Sequence, residues 1–150
     1  MKWIIPFSLV WINALSSNSK GLTLTDDLDR LIDVTEPPMT IVSLSPHLTE
    51  LLFDLGVGQK VVGTVSFSDY PPSAKAITRV GDASALNFER IIQMQPDLVI
   101  AWLSGGSFQS VERLIELGMK VYVNEISSPK DIAFSLEKLG VLVGQKNRGL

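Results

Sequence analysis

Short apolar stretches and longer amphipathic stretches alternate along the chain after its N-terminal segment. Four of the short stretches are rich in Val, Ile or Leu and are bounded by polar or turn-forming residues, which is typical of buried strands. They are residues 40–44, 61–65, 97–102 and 120–123. Each is followed, directly or after a polar connection, by apolar side chains that recur at helical spacing. This alternation predicts a parallel sheet with helices on both of its faces.

Capping residues indicate where the helices begin and end. Ser45 and Ser128 each precede a proline, the order expected of an N-cap followed by the first helical position. Asn87 is predicted to cap a helix that runs to Met94. Gly56 is predicted to stop the helix that follows the first strand.

A hairpin is predicted ahead of the first strand. Residues 22–25 and 30–35 flank a cluster of aspartates, and β-branched and polar residues alternate in both segments. Pro37 and Pro38 end the hairpin, because proline has no N–H to donate to a ladder. The predicted fold is therefore α/β: a single Rossmann-like lobe with a parallel four-stranded sheet flanked by helices, plus an N-terminal β-hairpin.

The first sixteen residues have the pattern of a secretory signal. Lys2 precedes a short apolar run, and residues 14–16 offer a cleavage site of small residues. A membrane anchor or a buried first helix are the alternatives. An anchor needs about 20 apolar residues, and this apolar run is too short. Pro6 and Asn13 oppose a stable buried helix. We expect residues 1–16 to be a signal peptide and, since the chain contains no Cys, the periplasm to be its destination.

Composition and charge exclude several functional classes. The 150 residues are 45% hydrophobic, enough for one domain with its own core. With 13 Lys and Arg against 16 Asp and Glu, the net charge of -3 opposes electrostatic binding of nucleic acid. The chain has no Cys and a single His, which excludes disulfides, thiol catalysis and His-rich metal cages. We expect no enzyme activity, no catalytic residue and no protein-bound metal or cofactor.

Candidate binding residues lie where the predicted strands end. Ser45 and His47 follow the first strand, Phe67 and Tyr70 follow the second, and Trp102 ends the third. Ligands of parallel sheets bind beyond these carboxyl ends. The three aromatic residues are suited to an apolar rim for a flat ligand. His47 is either a neutral donor or ligand there, with its pKa lowered by a helix N-terminus, or a first-turn residue with a local hydrogen bond.

Five motifs carry a resemblance to a known family. Residues 40–53 (TIVSLSPHLTELLF) resemble the opening of the bacterial iron-siderophore and cobalamin (vitamin B12) substrate-binding proteins. Residues 61–72 (VVGTVSFSDYPP), 79–82 (RVGD), 87–91 (NFERI) and 95–102 (QPDLVIAW) continue the resemblance in the same order. The second and last motifs are most similar to the cobalamin-binding branch.

The resemblance implies a binding component of an ABC importer. Members have two α/β lobes joined by a long helix, bind ligand between the lobes and deliver it to a membrane permease. It implies cobalamin or a related corrinoid as the ligand, with a ferric siderophore or haem as the alternative, and contact with the membrane only through the permease. Residues 17–40 then form an N-terminal hairpin segment and 41–150 the N-terminal lobe. The linking helix and second lobe are expected to be missing, so one lobe should bind cobalamin weakly if at all.

The resemblance also implies roles for single residues. Phe67 falls where the cobalamin binders have a Tyr that contacts the corrinoid, and Trp102 falls on a matching Trp. Ala83 stands where one type has a further Trp, so that contact is not expected here. Glu89 falls where a Glu pairs with Arg of the permease. A siderophore would need basic residues at the rim, where Lys and Arg are scarce.

Overall fold

The computed structural model describes residues 21–82, 84–106 and 108–149. Within them, the main sheet has five parallel strands in the order β5-β4-β3-β6-β7. A separate antiparallel hairpin pairs β1 with β2. In chain order the strands are β1 (Thr23–Thr25), β2 (Leu31–Asp33), β3 (Ile41–Ser43), β4 (Val61–Thr64), β5 (Thr78–Arg79), β6 (Leu98–Trp102) and β7 (Val121–Asn124).

Four α-helices and three short 3-10 helices connect the strands in the described part of the chain. The α-helices are α1 (Pro46–Asp54), α2 (Phe88–Met94), α3 (Phe108–Glu116) and α4 (Pro129–Leu142), and the 3-10 helices are Gly58–Lys60, Pro72–Ala76 and Lys146–Arg148. Asn87 caps α2 as predicted, because its side chain accepts from the Arg90 N–H. The predicted α/β lobe with a parallel sheet and an N-terminal hairpin is confirmed.

The sheet has one strand more than the sequence predicted. Strand β5 is two residues long and lies at the edge, inside the polar connection that follows β4. Two residues cannot show a periodicity, so the pattern gave no signal. Its Arg79 guanidinium donates to the carbonyls of Ala74, Ile77 and Ser68 at 2.9–3.0 Å. Arg79 therefore holds the segment between β4 and β5 in place by hydrogen bonds to three of its carbonyls.

Both faces of the sheet are covered, which explains why its strands are apolar throughout. On β3, Ile41 packs with the core formed by α1 and α4, while Val42 packs with the core on the opposite face. On β6, Leu98 and Ile100 face the first core, and Val99 faces the second. The alternation follows from the two-residue period of a strand.

The turn of the hairpin covers the outer edge of β7. The Val123 N–H donates to Asp26 Oδ2 at 3.2 Å, and the Asp27 N–H donates to the Val123 carbonyl at 3.0 Å. Arg30 Nη2 donates to the Val121 carbonyl at 3.0 Å. These bonds replace the ladder that a further strand would make, and so protect the edge from pairing with another chain.

The predicted signal peptide, residues 1–16, lies outside the described residues and stays a prediction. Among the residues that are described, no helix combines the length and the apolar character needed to span a membrane.

Candidate functional site

An open cleft of about 340 Å³ lies beyond the carboxyl ends of the strands. We call it the strand-end cleft. It receives three of the predicted site residues, Ser45, Phe67 and Trp102, from the loops after β3 and β4 and from the end of β6. Its described lining residues are Leu44, Ser45, Pro46, Val65, Ser66, Phe67, Asp82, Ser84, Trp102 and Gly105.

Two other concavities are less suited to a large ligand with an apolar face. One of about 710 Å³ beside the hairpin is lined by five carboxylates and no aromatic side chain. Its Asp27 already accepts from Lys138 Nζ at 2.7 Å. One of about 310 Å³ lies at the opposite end of the sheet, where Asp97 accepts from the Met39 and Thr40 N–H groups. The strand-end cleft, which brings predicted site residues together beyond the carboxyl ends of the strands, is the candidate site.

Trp102 is a half-buried part of the cleft wall and is held on several sides. Gly105 packs on the six-membered ring of its indole, and a Cβ added at Gly105 would overlap that ring. The His47 ring meets Trp102 edge to face, with centroids 4.8 Å apart and planes at 89°. Such contacts fix the indole before any ligand arrives.

Phe67 differs from Trp102, because its side chain is 85% exposed. Its φ of 68° lies in the left-handed region, which is costly for a bulky residue. The Ser66 N–H donates to the Gly81 carbonyl at 2.9 Å and anchors the turn just before Phe67. An exposed aromatic side chain on a strained backbone is more typical of a binding surface than of a folding element.

His47 lies in the first turn of α1 and pairs with Ser45, whose Oγ is 2.6 Å from His47 Nδ1. Ser45 is the N-cap residue of α1 as predicted, with an extended backbone, but its side chain caps no helix N–H. Burial lowers the pKa of His47, and the charge of Glu125 opposes this in part. The predicted direction of the pKa shift is confirmed, with burial as its main cause, and the local hydrogen bond is the one expected of a first-turn histidine.

Glu125, just after β7, was missed by sequence reasoning. Its Oε2 accepts from the Ser104 N–H and hydroxyl at 2.9 and 2.8 Å, and its Oε1 accepts from Ser127 Oγ at 3.0 Å. Burial raises the pKa of Glu125, but these bonds and the nearby Trp102 N–H lower it further than burial raises it. That buried N–H has no partner at hydrogen-bond geometry. Glu125 thus joins the loops that follow β6 and β7, and its place after a strand was the available signal.

Two further predicted residues, Tyr70 and Glu89, are not among the described residues that line the cleft. Tyr70 is 64% exposed, follows β4 in the same loop as Phe67, and does not line the cleft. Glu89 is exposed in the first turn of α2. Ala83 lies outside the described residues.

The cleft is chemically suited to a large ligand that carries little negative charge. None of its described lining residues is Lys or Arg. Its carboxylate, Asp82, accepts from the Ser84 N–H and hydroxyl and from the Ala85 N–H at 2.6–2.9 Å, which lowers the pKa of Asp82. Asp82 therefore stays charged at neutral pH. Across the described residues, no group of three or more His, Cys, Asp and Glu is arranged to hold a metal ion.

Comparison with known proteins agrees with this architecture. A family model described as periplasmic binding protein matches residues 41–150. The chain belongs to the periplasmic binding protein family. Within this family, the vitamin B12-binding protein of Vibrio vulnificus is 38% identical over 103 residues, which are 69% of this chain and 38% of that protein.

Solved structures of family members superpose on the lobe. The crystal structure of the periplasmic vitamin B12 binding protein BtuF of Vibrio cholerae matches with a TM-score of 0.71 and 34% identity, over 75% of this chain and 44% of that one. A periplasmic heme binding protein from Pseudomonas aeruginosa matches with a TM-score of 0.69 and 26% identity, over 75% and 40%. The chain spans less than half the length of each of these relatives, and the resemblance noted in its sequence is confirmed.

Proposed function

We propose that this chain is the substrate-binding component of an ABC importer, which binds cobalamin or a related corrinoid in the periplasm and delivers it to the permease. The observation that carries the proposal is the strand-end cleft, where Phe67 and Trp102 offer aromatic surface and no described lining residue is basic. The role is transport without catalysis. The names of the vitamin B12-binding relatives support the same ligand.

The chemistry of a corrinoid matches the cleft. A corrin is a wide macrocycle with an apolar face, and its rim carries amide groups that donate and accept hydrogen bonds. The exposed ring of Phe67 can stack on the macrocycle, while the hydroxyls of Ser66 and Ser84 at the lining suit the amides. Replacing the family's Tyr by Phe67 keeps the stacking face and loses a hydroxyl.

A ferric siderophore or haem is the second candidate, favoured by the structural likeness to a heme binding protein. Haem carries two carboxylates, and such groups are usually recognised by Arg or Lys. Asp82 would instead repel them. The charge of the cleft therefore ranks this candidate below a corrinoid.

Calorimetric titration of the chain separates the two ligands. We expect cyanocobalamin to bind weakly, because one lobe covers one face of the ligand while the cost of ordering is unchanged. Haem, titrated under the same conditions, should not bind more tightly. Haem binding that exceeds cyanocobalamin binding would overturn the proposed ligand, and nanomolar cyanocobalamin binding would contradict the expected dependence on a second lobe.

We further propose that Glu89 contacts the permease. Ile91 is fully buried beneath α2, whereas Glu89 is exposed and free to meet a basic partner. In a two-lobed receptor that contains this lobe, Glu89→Arg should abolish cobalamin uptake by a reconstituted importer and leave ligand affinity unchanged. Glu112→Arg, a matched charge reversal at an exposed position of α3, should transport normally. Normal uptake with Glu89→Arg would remove the docking role.

A further inference from the structure

Four hydroxyl side chains form a continuous buried row beneath the strand-end cleft. Ser43, Thr49, Thr64 and Ser68 are each 0–1% exposed. Thr49 Oγ1 lies 2.9 Å from Ser43 Oγ, the Thr49 and Thr64 hydroxyls share a hydrogen bond of 2.8 Å, and Thr64 Oγ1 donates to Ser68 Oγ at 2.8 Å. We call these four residues the buried hydroxyl chain.

The buried hydroxyl chain connects the first two loops of the cleft. Ser43 Oγ donates to the Ser45 carbonyl at 3.2 Å, and Thr49 Oγ1 lies 3.0 Å from the same carbonyl. At the other end, Ser68 belongs to the loop after β4. Apolar side chains would fill this space without the desolvation cost of hydroxyls. A hydrogen-bonded polar row instead favours one arrangement of the loops that it joins.

Ser68 is held on several sides at the position directly after Phe67. Its Oγ accepts from Thr64, its carbonyl accepts from Arg79 Nη2 at 3.0 Å, and its N–H donates to the Val65 carbonyl at 3.4 Å. A buried, fixed Ser68 thus follows a side chain that is 85% exposed. A left-handed φ at a bulky residue persists only where the surroundings determine it, and Ser68 supplies that constraint.

We propose that the buried hydroxyl chain is a positioning element, which holds Phe67 in its left-handed conformation and thereby sets the affinity of the cleft for its ligand. The part of this proposal that concerns the ligand rests on the proposed corrinoid function. The part that concerns Phe67 is independent of any ligand. Thr49, Thr64 and Ser68 act through Phe67 and need not touch the ligand.

The test uses the full chain and pairs each variant with a control. Thr64→Val keeps the shape and removes the hydroxyl, while Thr64→Ser restores it. Ser68→Ala removes the last hydroxyl of the buried hydroxyl chain. As a control, Ser135→Ala removes another buried hydroxyl, which accepts from Asn124 at 3.0 Å and lies outside the cleft lining. Two quantities are measured for each: amide hydrogen exchange of Ser66 and Ser68, with β6 amides as the global reference, and the Kd for cyanocobalamin.

Thr64→Val and Ser68→Ala should each speed exchange at Ser66 and Ser68 about ten-fold relative to β6 and weaken cyanocobalamin binding by a similar factor. Thr64→Ser and Ser135→Ala should leave both quantities near wild type. Unchanged exchange in Thr64→Val, or faster exchange with unchanged affinity, would overturn the proposal. If the wild-type chain alone does not bind cyanocobalamin, the Kd values are measured in a two-lobed receptor that contains this lobe, and absence of binding there would remove the ligand assignment. Amide exchange alone then decides whether the hydroxyls hold Phe67.

Discussion

The two aromatic walls of the strand-end cleft are held in opposite ways. Trp102 is half-buried, covered by Gly105 and in edge-to-face contact with His47, so we expect it to contribute to stability. Phe67 is 85% exposed, sits on a left-handed backbone and packs little of its ring against the lobe. Substitution of Trp102 should therefore lower both the stability of the fold and the affinity for ligand. Substitution of Phe67 should lower the affinity without lowering the stability.

The largest expected effect is that of Trp102→Ala. Removing the indole leaves Gly105 and His47 without their packing partner, and we expect the free energy of unfolding to fall by about 3 kcal/mol. Urea denaturation measures this. Trp102→Phe, which keeps an aromatic ring, should lose less. A stability equal to wild type would mean that Trp102 is no better anchored than Phe67.

Gly105→Ala should have the second-largest effect. We expect the free energy of unfolding to fall by about 1–3 kcal/mol, because the new methyl group would overlap the indole of Trp102. Gly106→Ala is the matched control, because the atom nearest to a Cβ added at Gly106 is the Trp102 carbonyl oxygen at 3.3 Å. Thermal unfolding of the two variants gives the comparison. Equal losses would show that the loop, rather than contact with the indole, sets the cost.

Phe67→Gly should have a smaller effect of the opposite sign. Glycine adopts a positive φ without the steric cost that a bulky side chain meets, so we expect stability to rise by about 0.5–1 kcal/mol. The same change should weaken cyanocobalamin binding, because the stacking surface is lost. A loss of stability comparable to that of Trp102→Ala would contradict the contrast between the two walls.

The smallest effect concerns pH and the bracing residue His47. Its pKa is lowered in the folded state, so the unfolded chain takes up the proton more readily. Stability should therefore fall as the pH drops below the ordinary histidine value of about 6.5. Denaturant titrations between pH 5 and about 7.5 measure the slope. His47→Asn should flatten it, and an unchanged slope in that variant would assign the pH dependence elsewhere.

Sequence patterns identified four of the five strands of the main sheet and therefore their ends, because the carboxyl ends of parallel strands meet at one edge. Phe67 and Trp102 could be placed in the cleft for that reason. Glu125 and the contact between Thr49 and Thr64 depend on side chains that tertiary packing brings together, 15 positions apart in the second case. No local pattern contains that information. Ser45 is the N-cap residue as predicted, but its hydroxyl pairs with His47 instead of with a helix N–H.

His47 can report whether the ligand lies in the strand-end cleft. It is the single histidine of the chain, so its ring NMR signals can be identified without a full resonance assignment. Its ring lies against Trp102, so these signals should respond to a ligand bound at the cleft wall. Titration with millimolar cyanocobalamin should shift the His47 ring signals in the wild-type chain, and Phe67→Ala should reduce the shift at equal ligand concentration. Signals that do not move, or that move equally in Phe67→Ala, would contradict binding in the strand-end cleft.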